Sequence, residues 1–123
     1  MLDQARAQGN PPQLEFLEAD ASVHAFGADY DLLFSRFGVM FFDAPGAAFA
    51  HLRGALKPGG RMAFVCWRPA IENEWVTLPL GIARTIVPPP PAPDPHAPGP
   101  FAFADPQRLR HILDEAGFHD VTI

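Results

Sequence analysis

The sequence predicts an α/β fold with a mainly parallel sheet and flanking helices. Two short apolar segments, residues 30–35 and 61–67, have strand character, and a stretch with helical spacing separates them. Strands that alternate with helices of ten or more residues imply right-handed crossovers, which place the strands parallel. The length of 123 residues is near the usual size of one domain, so we expect a single domain over residues 1–123.

The first part of the chain predicts a helix end and one short strand. Residues 1–8 have helical spacing and end at the glycine and two prolines of residues 9–12. Residues 14–18 alternate apolar and polar side chains, which is typical of a strand. Residues 22–26 are long enough for only one or two helical turns.

The middle of the chain predicts a strand, a helix and a second strand. Asp43 is a candidate N-cap for a helix that runs to about Leu56. Its apolar stripe should face a sheet and consists of Ala48, Phe49, Leu52 and Leu56. The composition of residues 57–60 predicts a turn, and residues 61–67 are almost continuously apolar. We therefore expect residues 61–67 to be the most buried strand.

The last third predicts two helices around a proline-rich loop. Residues 72–87 have the composition of a helix interrupted at Pro79. Eight of the 13 residues 88–100 are proline, which favours a stiff loop, with a ligand for polyproline-binding domains as the alternative. Asp105 and the proline after it predict a helix start, and residues 121–123 begin a strand.

Composition and charge exclude several function classes. Hydrophobic residues make up 48% and charged residues 19%, which excludes a disordered polar chain. The net charge of −5 disfavours binding to nucleic acid through a basic face. The longest apolar run, residues 37–42, is too short to cross a membrane, and the first residues do not form a signal peptide. We expect a soluble, cytoplasmic protein.

The cysteine and the histidines predict no metal site. Cys66 is the single cysteine, so an intrachain disulfide and a cysteine-based zinc site are impossible, and a small buried apolar role is expected for it. The five histidines do not have the spacing of metal ligands.

Two segments carry a resemblance to a known family. Residues 30–42 read YDLLFSRFGVMFF, and residues 52–61 read LRGALKPGGR. This pattern resembles class I S-adenosylmethionine-dependent methyltransferases, and within them the bacterial branch similar to quinone-biosynthesis methyltransferases. The resemblance covers nearly the whole chain, because residues 98–101, 105 and 116–118 also fit that branch. It implies a Rossmann-like fold and S-adenosylmethionine as cofactor.

The resemblance also implies an incomplete fold. In the family, a first strand, a glycine-rich loop and an acidic residue precede the part that these residues resemble, and a strand pair follows it. The 123 residues contain no such loop. We therefore expect weak cofactor binding by this chain alone, a poorly held strand at residues 14–18 and an exposed sheet edge at residues 32–35.

Five residues are candidate cofactor contacts. Asp20 resembles the family's acidic residue after the third strand, where a carboxylate accepts a hydrogen bond from the adenine amino group; the alternative is that Asp20 caps a short helix. The Ala21 backbone N–H would contact the adenine edge. Ser35, Arg36 and Phe37 follow the next strand, where ligands of open parallel sheets bind. Ser35 could instead be a turn residue, and Arg36 needs a carboxylate or a ligand if it is buried.

Four residues are candidate contacts to a small-molecule acceptor. The resemblance places Trp67 at the end of the fifth strand, and Asn73 and Trp75 in the segment that covers the acceptor. Met40 is the fourth. Aromatic side chains suit an apolar acceptor, although a tryptophan at a strand end is often part of the core or its rim. The sequence assigns no catalytic residue, because methyl transfer from a sulfonium needs little more than alignment.

Two functions remain open on this basis. The first is a methyltransferase acting on a small acceptor, which the truncated chain alone would perform poorly or not at all. The second is a noncatalytic remnant or interaction fragment, which would associate with itself or with a missing N-terminal half through the exposed sheet edge.

Overall fold

The computed structural model describes residues 2–9, 11–91 and 94–123. Its helices are α1 (Leu2–Ala7), α2 (Pro45–Gly54), α3 (Glu74–Ala83) and α4 (Pro106–Glu115), and its strands are β1 (Tyr30–Arg36) and β2 (Leu56–Val65). Single 3-10 turns lie at Val39–Phe41 and Ala70–Glu72. None of the helices in these ranges is long and apolar enough to span a lipid bilayer.

The sheet is parallel, as the alternation of elements predicted. β1 pairs with β2, and the register is regular from Leu32 opposite Arg61 to Arg36 opposite Val65. An irregularity precedes it, because Tyr30 pairs with Leu56, so β1 advances by two residues while β2 advances by five. Gly60 permits this irregularity, since a Cβ atom there would lie 3.0 Å from the Tyr30 carbonyl oxygen.

The core lies between one face of the sheet and helices α2 and α4. Phe49 on α2 is fully buried, and its ring contacts the rings of Phe64 on β2 and Phe103 before α4. The predicted stripe on α2 is confirmed at its first three positions, and α4 contributes its own buried face. The buried residues of these two helices are Ala48, Phe49, Leu52, Leu109, Ile112 and Leu113.

The start of α4 was predicted correctly, and the start of α2 was not. Asp105 is the N-cap of α4, where its carboxylate accepts hydrogen bonds from the backbone N–H groups of Gln107 at 2.8 Å and Arg108 at 3.3 Å. The N-cap of α2 is Ala44 rather than Asp43, and no side chain caps it. Pro45 at the first helical position needs no hydrogen-bond acceptor for its nitrogen and has a φ suited to the helix, which accounts for the difference.

Three further element predictions were wrong. Residues 14–18 form no strand, because no neighbouring strand in the described part of the chain offers them a ladder. Residues 121–123 form no strand for the same reason, and the Val121 carbonyl accepts a hydrogen bond from Arg110 instead, at 2.6 Å. β2 is not covered on both faces, since its residues 60–65 alternate between half-buried and exposed, although residues 61–67 are more buried than β1, as expected. Only one face of the sheet is covered, and the continuous apolar pattern needs two.

The last third of the chain differs in detail. Helix α3 continues through Pro79 and ends at Ala83, so Pro79 does not interrupt it. Pro79 is exposed, so water can reach the carbonyl group that it leaves without a helical partner. The predicted proline-rich loop at residues 88–100 lies partly outside the described residues, at 92 and 93. Its described residues form no helix or strand, and the Gly99 N–H donates to the Met40 carbonyl at 3.0 Å.

Candidate active site

The carboxyl ends of β1 and β2 lie side by side. The backbone N–H of Phe37, directly after β1, donates to the carbonyl of Val65, the last residue of β2, over 3.0 Å. Phe37 has a φ of 59°, a left-handed conformation that is unfavourable for an L-residue with a bulky side chain. Backbone strain of this kind is concentrated at functional sites. The chain therefore turns sharply at the edge of the sheet where ligands of parallel sheets bind.

Four aromatic side chains converge at this edge, and we call them the aromatic wall. The rings of Phe37 and Trp67 stack with centroids 4.6 Å apart and an interplanar angle of 12°. The Trp75 ring lies 4.9 Å from Trp67, and the Phe101 ring lies 6.3 Å from Trp75 at 26°. Both tryptophans of the chain belong to the wall. Trp75 is 54% exposed, so the wall has a face open to a ligand.

Three members of the wall were predicted from the sequence as site residues, and the fourth was not. Phe101 was noted only as part of a similar segment, and no role was assigned to it. The Gly99 hydrogen bond to Met40 brings this segment back to the edge of the sheet. A proline-rich loop of unpredictable path precedes Phe101, so no local pattern could have placed it beside Trp75.

A shallow cavity adjoins the wall at Phe101. Its volume is about 380 Å³, and it lies between the residues after β2 and the start of α4. Its walls are mostly apolar, with polar groups from His96, Asp105 and Arg108. The remaining lining residues are Pro69, Pro95, Phe101, Ala102, Ala104 and Pro106.

Ser35 and Arg36 lie at the end of β1 on opposite faces of the sheet. Ser35 is half-buried, and a Cβ atom at Gly38 would lie 3.1 Å from its Oγ, so the chain turns closely around it. Arg36 is exposed, and its guanidinium carbon lies 5.7 Å from the centre of the Phe37 ring. Solvent and this cation–π contact satisfy Arg36, so the expected need for a carboxylate does not arise.

Cys66 is half-buried and packs against the core. Desolvation by burial raises the pKa of its thiol to about 11. The thiol is therefore neutral near pH 7 and unsuited to act as a nucleophile. This agrees with the expected role as a small apolar side chain.

Asn73 and Met40 have structural surroundings. The Asn73 Nδ2 group donates to the carbonyls of Arg68 and Pro69, both at 2.9 Å, and so ties the start of α3 to the segment that follows β2. The Met40 side chain is 1% exposed and belongs to the core cluster, against which Phe37 and Trp67 also pack. Acceptor contacts by these two residues stay predictions.

The structure does not bring Asp20 and Ala21 to the aromatic wall. The Asp20 carboxylate accepts hydrogen bonds from the Ser22 backbone N–H at 2.9 Å and from its hydroxyl at 2.7 Å, and these bonds lower the pKa of Asp20. The segment continues to Phe26, whose ring packs on Tyr30 at the start of β1. The Asp20 carbonyl accepts a hydrogen bond from the His24 N–H at 2.8 Å, and the His24 carbonyl lies 2.7 Å from Nε2 of His51 in the last turn of α2. This segment therefore lies near the start of β1, and the seven residues of β1 span about 20 Å to the other end.

The described residues do not form a metal centre. No group of three or more histidine, cysteine, aspartate or glutamate side chains lies close enough to hold an ion in the ranges 2–9, 11–91 and 94–123.

Comparison with known protein families identifies the chain. A family model described as a methyltransferase domain matches residues 1–64, which is more than half of the sequence. The chain belongs to the class I S-adenosylmethionine-dependent methyltransferase family. No curated protein and no solved structure matches it significantly.

Membership in the methyltransferase family fits the parallel sheet and its helices, which are an incomplete form of the expected Rossmann-like arrangement. The match contains β1, α2 and nearly all of β2. Trp67, Trp75 and Phe101 lie beyond it, so three of the four residues of the aromatic wall are supplied by the part of this methyltransferase that the family model does not describe.

Proposed function

We propose that this methyltransferase domain transfers a methyl group from S-adenosylmethionine to a small, partly apolar acceptor that packs against the aromatic wall. The observation that supports the proposal is the convergence of Phe37, Trp67 and Trp75 at the carboxyl ends of two parallel strands. Ligands of open α/β sheets bind outside these ends, and aromatic side chains favour flat apolar molecules. The proposed acceptor suits the resemblance to the quinone-biosynthesis branch.

We assign the contacts to the cofactor and to the acceptor to different parts of this edge of the sheet. Ser35, Arg36 and Phe37 at the end of β1 are the proposed contacts to the cofactor, and Trp67 and Trp75 are the proposed contacts to the acceptor. Phe37 stacks on Trp67, so the proposed cofactor contacts and the proposed acceptor contacts adjoin at this pair of rings. Such an arrangement aligns the acceptor atom with the methyl group, which is the main requirement of methyl transfer from a sulfonium.

Asp20 and Ala21 are proposed adenine contacts on the family resemblance alone. In the structure the segment around them is held near the start of β1, through Phe26. Reaching the cofactor would require this segment to pack along a neighbouring strand. The 123 residues contain no glycine-rich loop, so the proposal includes weak cofactor binding and little activity for the chain by itself.

A noncatalytic interaction fragment is the second candidate, and one observation favours it. In the described part of the chain the sheet has two strands, so β1 has an edge without a ladder partner. Unpaired strand edges associate readily with other chains.

The acceptor proposal can be tested without the cofactor. Both tryptophans belong to the wall, so the two indole N–H signals in a ¹⁵N NMR spectrum report on it directly. Titration with 2-naphthol should shift both signals, and titration with inositol, which is polar and of similar size, should shift neither. Trp75→Ala should weaken 2-naphthol binding, while Val23→Ala, at an exposed position outside the wall, should not.

Methyl transfer needs a second experiment. The chain is joined in frame behind the strand–glycine loop–strand segment of a class I methyltransferase and incubated with S-[methyl-³H]adenosylmethionine and a bacterial lysate. Label in the organic extract supports a small apolar acceptor, and label in protein or nucleic acid contradicts it. No transfer, together with self-association through the β1 edge, would favour the interaction fragment.

A further inference from the structure

The cavity beside Phe101 has no role in the proposed function, and we call it the side cavity. It lies between the residues after β2 and the start of α4, and its described lining residues all fall within residues 69–108. Its volume of about 380 Å³ is far more than a water molecule needs. The side cavity therefore has room for a substituent of a bound molecule.

Phe101 belongs both to the side cavity and to the aromatic wall. Its ring lines the cavity and also lies 6.3 Å from the Trp75 ring, at an interplanar angle of 26°. The Trp75 side chain is largely open to solvent. An aromatic molecule that packs against Trp75 and Phe101 therefore lies at the mouth of the side cavity, and a substituent on that molecule can enter it.

Arg108 supplies the positive charge of the side cavity. Its half-buried side chain donates from Nη1 to the Ala102 carbonyl at 2.8 Å, and its guanidinium carbon lies 5.9 Å from the centre of the Phe103 ring. These two contacts hold the guanidinium in place and leave most of its N–H donors unused. In the described part of the chain no carboxylate forms an ion pair with it.

The side cavity has two further polar groups. The Asp105 carboxylate is occupied as the N-cap of α4, where it accepts hydrogen bonds from the backbone N–H groups of Gln107 and Arg108. The positive end of the helix offsets its negative charge. The His96 backbone N–H donates to the Asp94 carboxylate at 2.8 Å, and the His96 ring adds a second donor to the cavity lining.

A positioned guanidinium in such a cavity suits a carboxylate. The planar fork of arginine N–H groups matches the two oxygens of a carboxylate, and the pair is strengthened by the charges of both groups. A carboxylate carries one negative charge, which one guanidinium balances, whereas a phosphate monoester carries about two. The mostly apolar lining and the nearby Asp105 both favour the ligand with the smaller charge.

We propose that the acceptor is an aromatic carboxylic acid whose ring packs against Trp75 and Phe101 and whose carboxylate pairs with Arg108 in the side cavity. This inference rests on the proposed function and adds selectivity to it. The aromatic wall accepts any flat apolar ring, whereas the side cavity selects rings that carry an acidic group. The cavity lies at the end of the wall opposite Phe37, so the carboxylate fixes which edge of the ring faces the proposed cofactor contacts.

Two ligands of the same shape test the charge requirement with the full chain. Each is titrated at pH 7, where 2-naphthoate is ionised and 2-naphthamide is neutral, and the two indole N–H signals in a ¹⁵N NMR spectrum report binding. A charge-assisted pair with Arg108 should make 2-naphthoate bind about tenfold more tightly than 2-naphthamide.

Variants on α4 assign this difference to one side chain. Arg108→Gln should lower the affinity for 2-naphthoate about tenfold and leave the affinity for 2-naphthamide unchanged. Arg108→Lys keeps the charge without the planar fork and should retain part of the preference. Arg110→Gln removes the same charge from an exposed position on the same helix, outside the side cavity, and should change neither affinity.

The neutral ligand separates this inference from the proposed function. If 2-naphthamide shifts the indole signals and 2-naphthoate binds no more tightly, the aromatic wall binds acceptors and the carboxylate site is refuted. If neither ligand binds, the proposed acceptor site fails, and the inference that rests on it fails too. A preference for 2-naphthoate that persists in Arg108→Gln would overturn the assignment. So would an equal loss of both ligands in that variant, because Arg108 would then support the wall and not contact the carboxylate.

Discussion

Phe37 combines an unfavourable backbone conformation with a stacked side chain, and the two contributions can be separated. Its φ of 59° belongs to the left-handed region, and its ring stacks on Trp67 at 4.6 Å. Phe37→Ala removes the half-buried ring, which we expect to lower the free energy of unfolding by about 2 kcal/mol. Alanine retains the penalty for the left-handed conformation.

Phe37→Gly removes the same ring and also the penalty. A left-handed conformation costs an L-residue about 1 to 2 kcal/mol, and glycine avoids that cost. The greater freedom of glycine in the unfolded chain offsets about 0.4 to 1 kcal/mol of this gain. Phe37→Gly should therefore be more stable than Phe37→Ala by about 0.8 kcal/mol, the difference between the midpoints of these two ranges.

Urea unfolding measures this difference. Circular dichroism is the suitable probe, because tryptophan fluorescence would also change with the altered surroundings of Trp67. Phe34 is the matched control, since it is a phenylalanine of β1 and its φ is not positive. There the order should reverse, with Gly less stable than Ala by about 0.5 to 1 kcal/mol. If Phe37→Gly were no more stable than Phe37→Ala, the stacked ring and not the turn would hold the left-handed conformation, and the argument would be refuted.

Four further outcomes are expected. Phe49→Ala should cost about 3 to 5 kcal/mol in urea unfolding, because its ring is fully buried, whereas the half-exposed Phe41→Ala should cost less than about 1 kcal/mol. Hydrogen bonds from Ser22 lower the pKa of Asp20 in the folded chain. The turn that these bonds form should therefore be fully stable at a pH above 3.8, the pKa of Asp20 in the unfolded chain, and should be lost as the pH falls through the lower pKa of the folded chain. An NMR titration of Ser22→Ala should show the pKa of Asp20 move upward, and an unchanged value would contradict the assignment. Burial raises the pKa of Cys66 from 9.0 to about 11, so alkylation by iodoacetamide should be slow at pH 8 in the folded chain and faster in urea. The folded chain should also lose stability above about pH 9, because the thiol of the unfolded chain ionises first. Calorimetric titration of the 123-residue chain with S-adenosylmethionine should show weak or no binding, and a dissociation constant near 1 μM, about −8 kcal/mol, would show that another surface replaces the glycine-rich loop.

The sequence predicted those elements whose signals are local. The N-cap at Asp105, the stripe on α2 and the strands that became β1 and β2 depend on side chains within a few residues of one another. Strand predictions at residues 14–18 and 121–123 failed, because a strand also needs a neighbour, and alternating side chains do not indicate whether one is present. The pattern of residues 61–67 predicted a fully buried strand, but burial depends on what covers the second face.

The candidate site divides in the same way. Sequence order alone places Phe37 and Trp67 after parallel strands, and parallel pairing brings the ends of such strands together, so this part of the aromatic wall was determined by the sequence pattern. Phe101 entered the wall through a hydrogen bond across the proline-rich loop, and Asp20 was held away from it by the packing of Phe26 on Tyr30. Contacts between residues distant in the chain decided both positions, because their energies depend on the packed surroundings and leave no mark in the local sequence.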